Sequence, residues 1–210
     1  MYKIGKILLL ASVAILFSAC AGKNFEKPSQ KSLVLGTTTY TDITNSMGTP
    51  KSSGKLLLHN NQFDSITYIY ANIGCQKDEN SNADISNCEP NNRGVTPEKA
   101  MIFYFKQEIL KGYSFRSSFK SNNTNFDATK VEKIIKNKTN MSGIISLLGK
   151  PTGKLIYPAS LKANTFVYEY SEAIPKAFGG AKVHVKVLII EFDKNDIVID
   201  VKYVNNRIEV

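Results

Sequence analysis

Residues that commonly carry catalysis are scarce in this sequence. It has only two histidines, His59 in a polar loop and His184 in a predicted strand. Nucleophilic catalysis usually requires a base beside the nucleophile. The sequence also contains no Gly-x-Ser-x-Gly motif, glycine-rich phosphate loop, His-Glu-x-x-His motif or paired-cysteine metal motif. We therefore expect a protein that is not an enzyme and that uses no cofactor.

Acidic residues are outnumbered, but the basic excess is not concentrated anywhere. The chain has 27 lysines and arginines against 18 aspartates and glutamates, a formal charge of +9. These residues are spread along the chain without a basic cluster, so we expect no nucleic-acid partner. A diffuse positive charge is compatible with anionic lipid headgroups or acidic partners.

The N-terminus has the three parts of a secretory signal peptide. Residues 1–6 are cationic, residues 7–17 are apolar or small, and further small residues lead to Cys20. The apolar run is too short to span a bilayer as a permanent helix. The sequence Phe-Ser-Ala-Cys that ends at Cys20 resembles a bacterial lipobox, in which the cysteine is lipidated and becomes the first residue. We predict a signal peptide over residues 1–19, with ordinary cleavage and an unmodified Cys20 as the alternative.

The residues after Cys20 have the composition of a tether. Residues 20–28 are mostly small or polar and end at Pro28. In lipoproteins of this kind an aspartate after the cysteine retains the protein in the inner membrane, and Ala21 stands here instead. The resemblance therefore implies a protein on the periplasmic side of the outer membrane. The covalent lipid on Cys20 would make the membrane a partner without any spanning helix.

Two parts of the chain resemble each other at an offset of 100 or 101 residues. The segment TYTDITNSMGTP (39–50) aligns with NMSGIISLLGKP (140–151). Further on, SITYIY (65–70) aligns with TFVYEY (165–170). A repeat of this size indicates two copies of one supersecondary unit.

Each copy contains a short predicted helix with matching boundaries. Thr39 and Asn140 are suitable N-cap residues. Gly48 and Gly149, each followed two residues later by proline, are expected to end the helices in a backbone conformation with positive φ.

The remaining elements of each copy follow from the hydrophobic pattern. A second helix is predicted over residues 127–138, with a shorter counterpart over 28–36. Alternating, aromatic-rich segments predict three strands in each copy. The expected fold class is α+β, with two tandem units that each contain two helices and a three-stranded antiparallel sheet, over residues 29–120 and 126–204.

This element order resembles the SmpA/OmlA (BamE) family of outer-membrane lipoproteins. The shared features, present in both copies, are the Ile-x4-Gly-x-Pro helix end and the aromatic strand that follows it. Tandem copies are similar in architecture to the β-lactamase inhibitory protein, in which two units form a concave sheet surface. The resemblance implies a binding or scaffold lipoprotein with a protein partner, accessory to an envelope or outer-membrane protein complex. The alternative is a structural envelope lipoprotein that contacts lipid or peptidoglycan.

Four tyrosines are candidate binding residues. Tyr68 and Tyr70 share one strand face, as do Tyr168 and Tyr170, because alternate residues of a strand point the same way. They either form the core beneath the helices or make an aromatic platform on an open sheet face. The alternation alone does not decide between these two arrangements.

Two cysteines bracket a polar insert over residues 75–88. In an oxidising compartment Cys75 and Cys88 are expected to pair, and the bridge would stabilise the fold by about 3 kcal/mol. The same stretch has the oxygen-ligand spacing of an EF-hand calcium loop. Those ligands would be Asp78, Asn80, Asn82, Asp84, Ser86 and Glu89. Ala83 stands where the EF-hand turn requires glycine, and both neighbouring elements are predicted strands, so we favour the disulfide over calcium.

Overall fold

The computed structural model describes residues 22–71, 97–176 and 181–209. Its helices are α1 (Tyr40–Met47) and α2 (Met141–Leu148), with 3-10 turns at Lys120–Asn122 and Ala128–Lys133. Its strands are β1 (Ser52–Leu58), β2 (Asn61–Ala71), β3 (Glu98–Lys106), β4 (Ile109–Ser117), β5 (Gly153–Ile156), β6 (Asn164–Pro175), β7 (Ala181–Phe192) and β8 (Val198–Glu209). None of the helices in these three ranges is long and apolar enough to cross a membrane.

All eight strands belong to one antiparallel sheet. Their order in space is their order in the chain, from β1 to β8, and every neighbouring pair is antiparallel. This is a meander in which β1 and β8 form the two edges. One α-helix precedes the first four strands and the other precedes the last four.

The predicted fold class was wrong, because the sheet dominates the fold. Each half contributes four strands to a single sheet and one α-helix, where two helices and a separate three-stranded sheet were expected. The strands that sequence reasoning missed are β1 and β5. The sequence of β1, SSGKLLL, lacks alternation, and β5 is only four residues long. Both depend on pairing with a longer neighbouring strand.

The additional helices predicted over 28–36 and 127–138 do not form as α-helices. The first segment contains only turns, and the second contains the 3-10 turn at Ala128–Lys133. A side chain takes a backbone donor that a longer helix would use, because the Thr139 hydroxyl accepts from the amide of Ile135, which in an α-helix would donate to the Val131 carbonyl. Such side-chain bonds compete with helix formation.

The boundaries of the two α-helices are confirmed. The Thr39 side chain accepts from the amide of Asp42 in a capping box, and the Asn140 side chain accepts from the amide of Gly143. The helices end at Gly48 and Gly149, whose φ values are +79° and +83°. With ψ of −160° and −174°, both glycines occupy a region that is nearly restricted to glycine.

The helices cover only one face of the sheet, which we call the helix face. Its core has one cluster in each half, centred on the buried Ile43 beneath α1 and on Ile144 beneath α2. We call the opposite side the helix-free face. Strand pairing places on it Phe63, Thr67, Ile102, Tyr104, Ser114, Arg116, Val167, Glu169, Ser171, Val183 and Val187.

The two halves join through a short contact between β4 and β5. Only two residue pairs connect these strands, Gly112 with Leu155 and Tyr113 with Lys154. A Cβ atom on Gly112 would collide with the Leu155 side chain, and one on Gly153 would collide with the backbone of Tyr113. Glycine at both positions therefore permits the close approach of the halves.

The chain is packed against the sheet well before α1. Phe25 is 8% exposed and lies in the core cluster of the first half, with its ring centroid 6.0 Å from that of Tyr68. The Lys27 ammonium lies 4.8 Å from the centroid of Phe115. Part of the segment expected to be a tether, residues 20–28, is thus built into the fold.

Candidate functional site

The four candidate tyrosines lie on the helix face. Tyr68, Tyr168 and Tyr170 are at most 4% exposed, and Tyr70 is half-buried and stacked on Phe119 at 5.7 Å between ring centroids. These side chains therefore form the core beneath the helices, which is the first of the two arrangements considered above.

The hydroxyls of Tyr68 and Tyr168 fasten the helix ends to the sheet. They donate to the carbonyl oxygens of Gly48 and Gly149, at 2.7 and 2.8 Å. Burial raises the pKa of both phenols, so they remain protonated and able to donate. Each tyrosine thus holds the glycine that ends its helix.

A lysine lies among the aromatic rings of each half. The ammonium of Lys99 lies 5.1 Å from the ring centroid of Phe25, and that of Lys186 lies at the same distance from Phe126. Lys186 also donates to the Phe126 carbonyl at 2.9 Å. Burial lowers the pKa of both lysines, and cation–π contacts offset part of the cost of burying the charge. The faces of these phenylalanine rings therefore already contact lysines of the protein itself.

The strongest candidate site is on the helix-free face, where an ion pair joins the two halves. Arg116 on β4 and Glu169 on β6 approach to 3.4 Å between Nη1 and Oε1, and their side chains are only 14% and 9% exposed. They meet across the sheet because β5 begins only at Gly153. The amide of Glu169 donates to the Thr152 hydroxyl at 3.0 Å, which fixes this part of β6.

Hydroxyl groups surround the ion pair. Tyr104 is 4% exposed and Ser114, on the neighbouring strand β4, is 3% exposed. Burial, reinforced by the nearby charge of Glu169, raises the pKa of Tyr104. The Ser171 hydroxyl donates to Glu98 at 2.7 Å. In the described part of the chain every buried side-chain nitrogen and oxygen has a hydrogen-bond partner.

Aliphatic side chains flank this polar centre on both sides. In the first half Ile102 is buried, and in the second half Val183 and Val187 are buried while Val185 and Ile189 are half-buried. A few polar groups set among apolar side chains are typical of a protein-binding surface.

The histidines do not contribute to this site. His59 lies in the β1–β2 turn with φ of +50°. His184 lies on the helix face, 3.4 Å from Glu172 and 2.7 Å from Asn205 between side-chain atoms. No group of histidine, cysteine, aspartate and glutamate that could hold a metal ion occurs within residues 22–71, 97–176 and 181–209.

The remaining predicted site residues lie outside the described residues. These are the lipidation site Cys20, the disulfide candidates Cys75 and Cys88, and the calcium candidates Asp78, Asn80, Asn82, Asp84, Ser86 and Glu89. The lipid, the bridge and the choice between bridge and calcium stay predictions.

The pair of Arg116 and Glu169 was not among the site residues predicted from the sequence. Each is the single charged residue in an aromatic-rich stretch, YSFRSSF and TFVYEYS. Opposite charges in two such strands were the available signal, but the strands are not adjacent in the sheet.

Comparison with known proteins finds no match to a protein-family model, to a curated protein or to a solved structure.

Proposed function

We propose that this protein is a lipid-anchored binding protein on the periplasmic side of a bacterial outer membrane, accessory to an envelope protein complex. It performs no catalysis and binds a protein partner through its helix-free face. The observation that carries the proposal is the leader that ends at Cys20, only a few residues before the packed chain begins at Phe25. Ala21, which stands where an aspartate would retain a lipoprotein in the inner membrane, supports the outer-membrane location.

The binding surface is proposed from the chemistry around Arg116 and Glu169. The little-exposed ion pair can exchange its internal hydrogen bond for bonds to a partner's polar groups. The half-buried side chains of Val185 and Ile189 beside it retain apolar area that a partner can cover. Its position at the junction lets a partner contact both halves of the sheet.

Capture of cross-linked partners from membranes tests this proposal. The test variant is Arg116→Met/Glu169→Leu, which removes both charges and leaves neither unpaired, so the fold is expected to be retained. The control is Lys55→Gln/Asp64→Asn, which removes an exposed ion pair from the helix face. Thermal unfolding of both variants verifies that they are folded.

We expect the native chain and the control to capture one protein in stoichiometric amount, and the test variant to lose it. Equal capture by both variants would show that the helix-free face is not the binding surface. Retention of lipid or glycan only, lost at high salt, would instead support the structural envelope lipoprotein.

A further inference from the structure

We propose that the surface around Gly22, Lys23 and Lys51 lies against the anionic headgroups of the membrane that holds Cys20. This inference rests on the proposed lipid anchor, and it adds the orientation of the sheet on the bilayer. It identifies the part of the first half that contacts lipid and leaves the second half farther from it.

The length of chain between the anchor and the fold sets the distance to the bilayer. Gly22 lies against the end of β2, since a Cβ atom on it would collide with the carbonyl oxygen of Ile69. Gly22 follows Cys20 by two positions, with only Ala21 between them, and two steps of extended chain reach about 7 Å. A lipid on Cys20 would therefore hold this end of β2 within a few ångströms of the headgroups.

The surroundings of Gly22 form a continuous surface. The N-terminal segment and the loop after α1 border a shallow groove whose lining includes Lys23, Thr49, Lys51 and Ile69. Lys23 and Lys51 are exposed. They are thus available to headgroup phosphates, whereas the Lys27 ammonium lies over the ring of Phe115.

The second half provides an internal comparison for these charges. At the offset of 101 residues, Lys23 corresponds to Thr124 and Lys51 corresponds to Thr152. The second half has the same helix end but no lipid-bearing cysteine before it. The two exposed lysines thus belong to the copy that the anchor would bring to the membrane.

The formal charge of the whole surface is also more positive in the first half than in the second. Residues 22–28 and 48–51 contain three lysines and one glutamate, a formal charge of +2. The corresponding residues 123–129 and 149–152 contain one lysine and one aspartate, whose charges cancel. Each lysine close to an anionic surface shifts the local binding equilibrium by about fivefold.

Hydrogen exchange of the acylated full chain in vesicles tests the proposal. The vesicles contain phosphatidylglycerol in phosphatidylcholine, with pure phosphatidylcholine vesicles for comparison, and intact mass first verifies the acyl chains. We expect slower exchange at residues 22–28 and 48–51 in the anionic vesicles, with no change at 123–129 and 149–152. Lys23→Gln/Lys51→Gln should abolish most of this protection, and Lys150→Gln should not.

Each outcome of this experiment either supports or overturns the proposed orientation of the sheet on the membrane. Protection that is confined to the first half and depends on the two lysines supports it. An acylated protein with equal exchange in the two halves overturns the orientation and leaves the lipid anchor standing. A mature chain without acyl chains overturns the anchor and the orientation together.

Discussion

The two halves of the sheet share their internal contacts and differ in their connections. The Gly36 amide donates to the Leu110 carbonyl at 2.8 Å, and the Asn137 amide donates to Val198 at 2.7 Å. Gly36 and Asn137 also both have positive φ. In contrast, β2 and β3 are separated by residues 72–97, and β6 and β7 by residues 176–180. The comparison shows that each half repeats an N-capped helix, the glycine that ends it and four strands, and we call this repeated part the frame. The connections between the strands differ in length from one half to the other.

The repeat also begins earlier than the aligned helices suggest. The sequence Asn-Phe-Glu at 24–26 corresponds to Asn-Phe-Asp at 125–127. Phe25 and Phe126 each lie 6.0 Å, between ring centroids, from Tyr68 or Tyr168. This aromatic pair belongs to the frame, so the first half is folded almost to the proposed anchor.

The largest expected effect comes from emptying the core beneath each helix. Ile43 is 3% exposed and Ile144 is fully buried, and they occupy the same position in their helices. We expect Ile43→Ala and Ile144→Ala each to lower the free energy of unfolding by about 4 kcal/mol, because each leaves a cavity. Urea denaturation measures both. Losses in free energy of unfolding that differ by more than twofold between the two variants would show that the frames of the two halves are not equivalent.

The second prediction concerns the contact that has no copy within a half. Glu169→Ala leaves the Arg116 charge little exposed and unpaired, and we expect a loss of about 3 kcal/mol. Arg116→Met/Glu169→Leu should lose less than about 1 kcal/mol. Denaturation of the single and double variants measures the coupling. A double variant as unstable as the single one would argue against this account of the junction.

The third prediction compares the glycines that end the two helices. A Cβ atom at Gly48 or Gly149 meets nothing within 4 Å, so an alanine there costs only backbone strain. We expect Gly48→Ala and Gly149→Ala each to cost about 2 kcal/mol. Thermal unfolding compares them with Gly54→Ala, whose backbone does not have positive φ. Unchanged stability in either helix-end variant would show that positive φ is not required there.

The smallest expected effect is a pH dependence that is present at the N-cap of α1 and absent at the N-cap of α2. Hydrogen bonds from the amide and hydroxyl of Thr39 lower the pKa of Asp42, whereas Asn140 in the second cap does not titrate. A lowered folded-state pKa adds stability above the unfolded pKa, which is lost as pH falls through the folded value. Below about pH 4, the protection factors of the backbone amides, taken relative to intrinsic exchange at the same pH, should fall in α1 and not in α2. Asp42→Asn should remove this difference, and a pH response shared by both helices would refute it.

The sequence predicts correctly the parts of the fold that depend on residues close together in the chain. The caps at Thr39 and Asn140 and the glycine ends depend on a few adjacent side chains, and they were predicted correctly. The segment 127–138 has helical periodicity, but the Ile135 amide donates to the Thr139 hydroxyl in place of the carbonyl four residues earlier, and the segment forms only a 3-10 turn. The number of strands was missed because β1 and β5 are defined by their partners.

The candidate site was harder to predict because it depends on distant pairing. The tyrosine pattern in β2 and β6 could not show which face the helices cover. Arg116 and Glu169 lie 53 positions apart and on strands that are not adjacent. Their proximity follows from the short β5, which has no marked sequence signal.

Intact mass spectrometry of the protein extracted from membranes measures whether Cys20 is the lipidated N-terminus. We expect a mature chain that begins at Cys20 and carries acyl chains there. We also expect Cys20→Ala to yield an unacylated protein, either uncleaved or released from the membrane. A native chain with an unmodified Cys20, or a Cys20→Ala protein that is acylated and partitions into membranes like the native one, would rule out the lipid anchor.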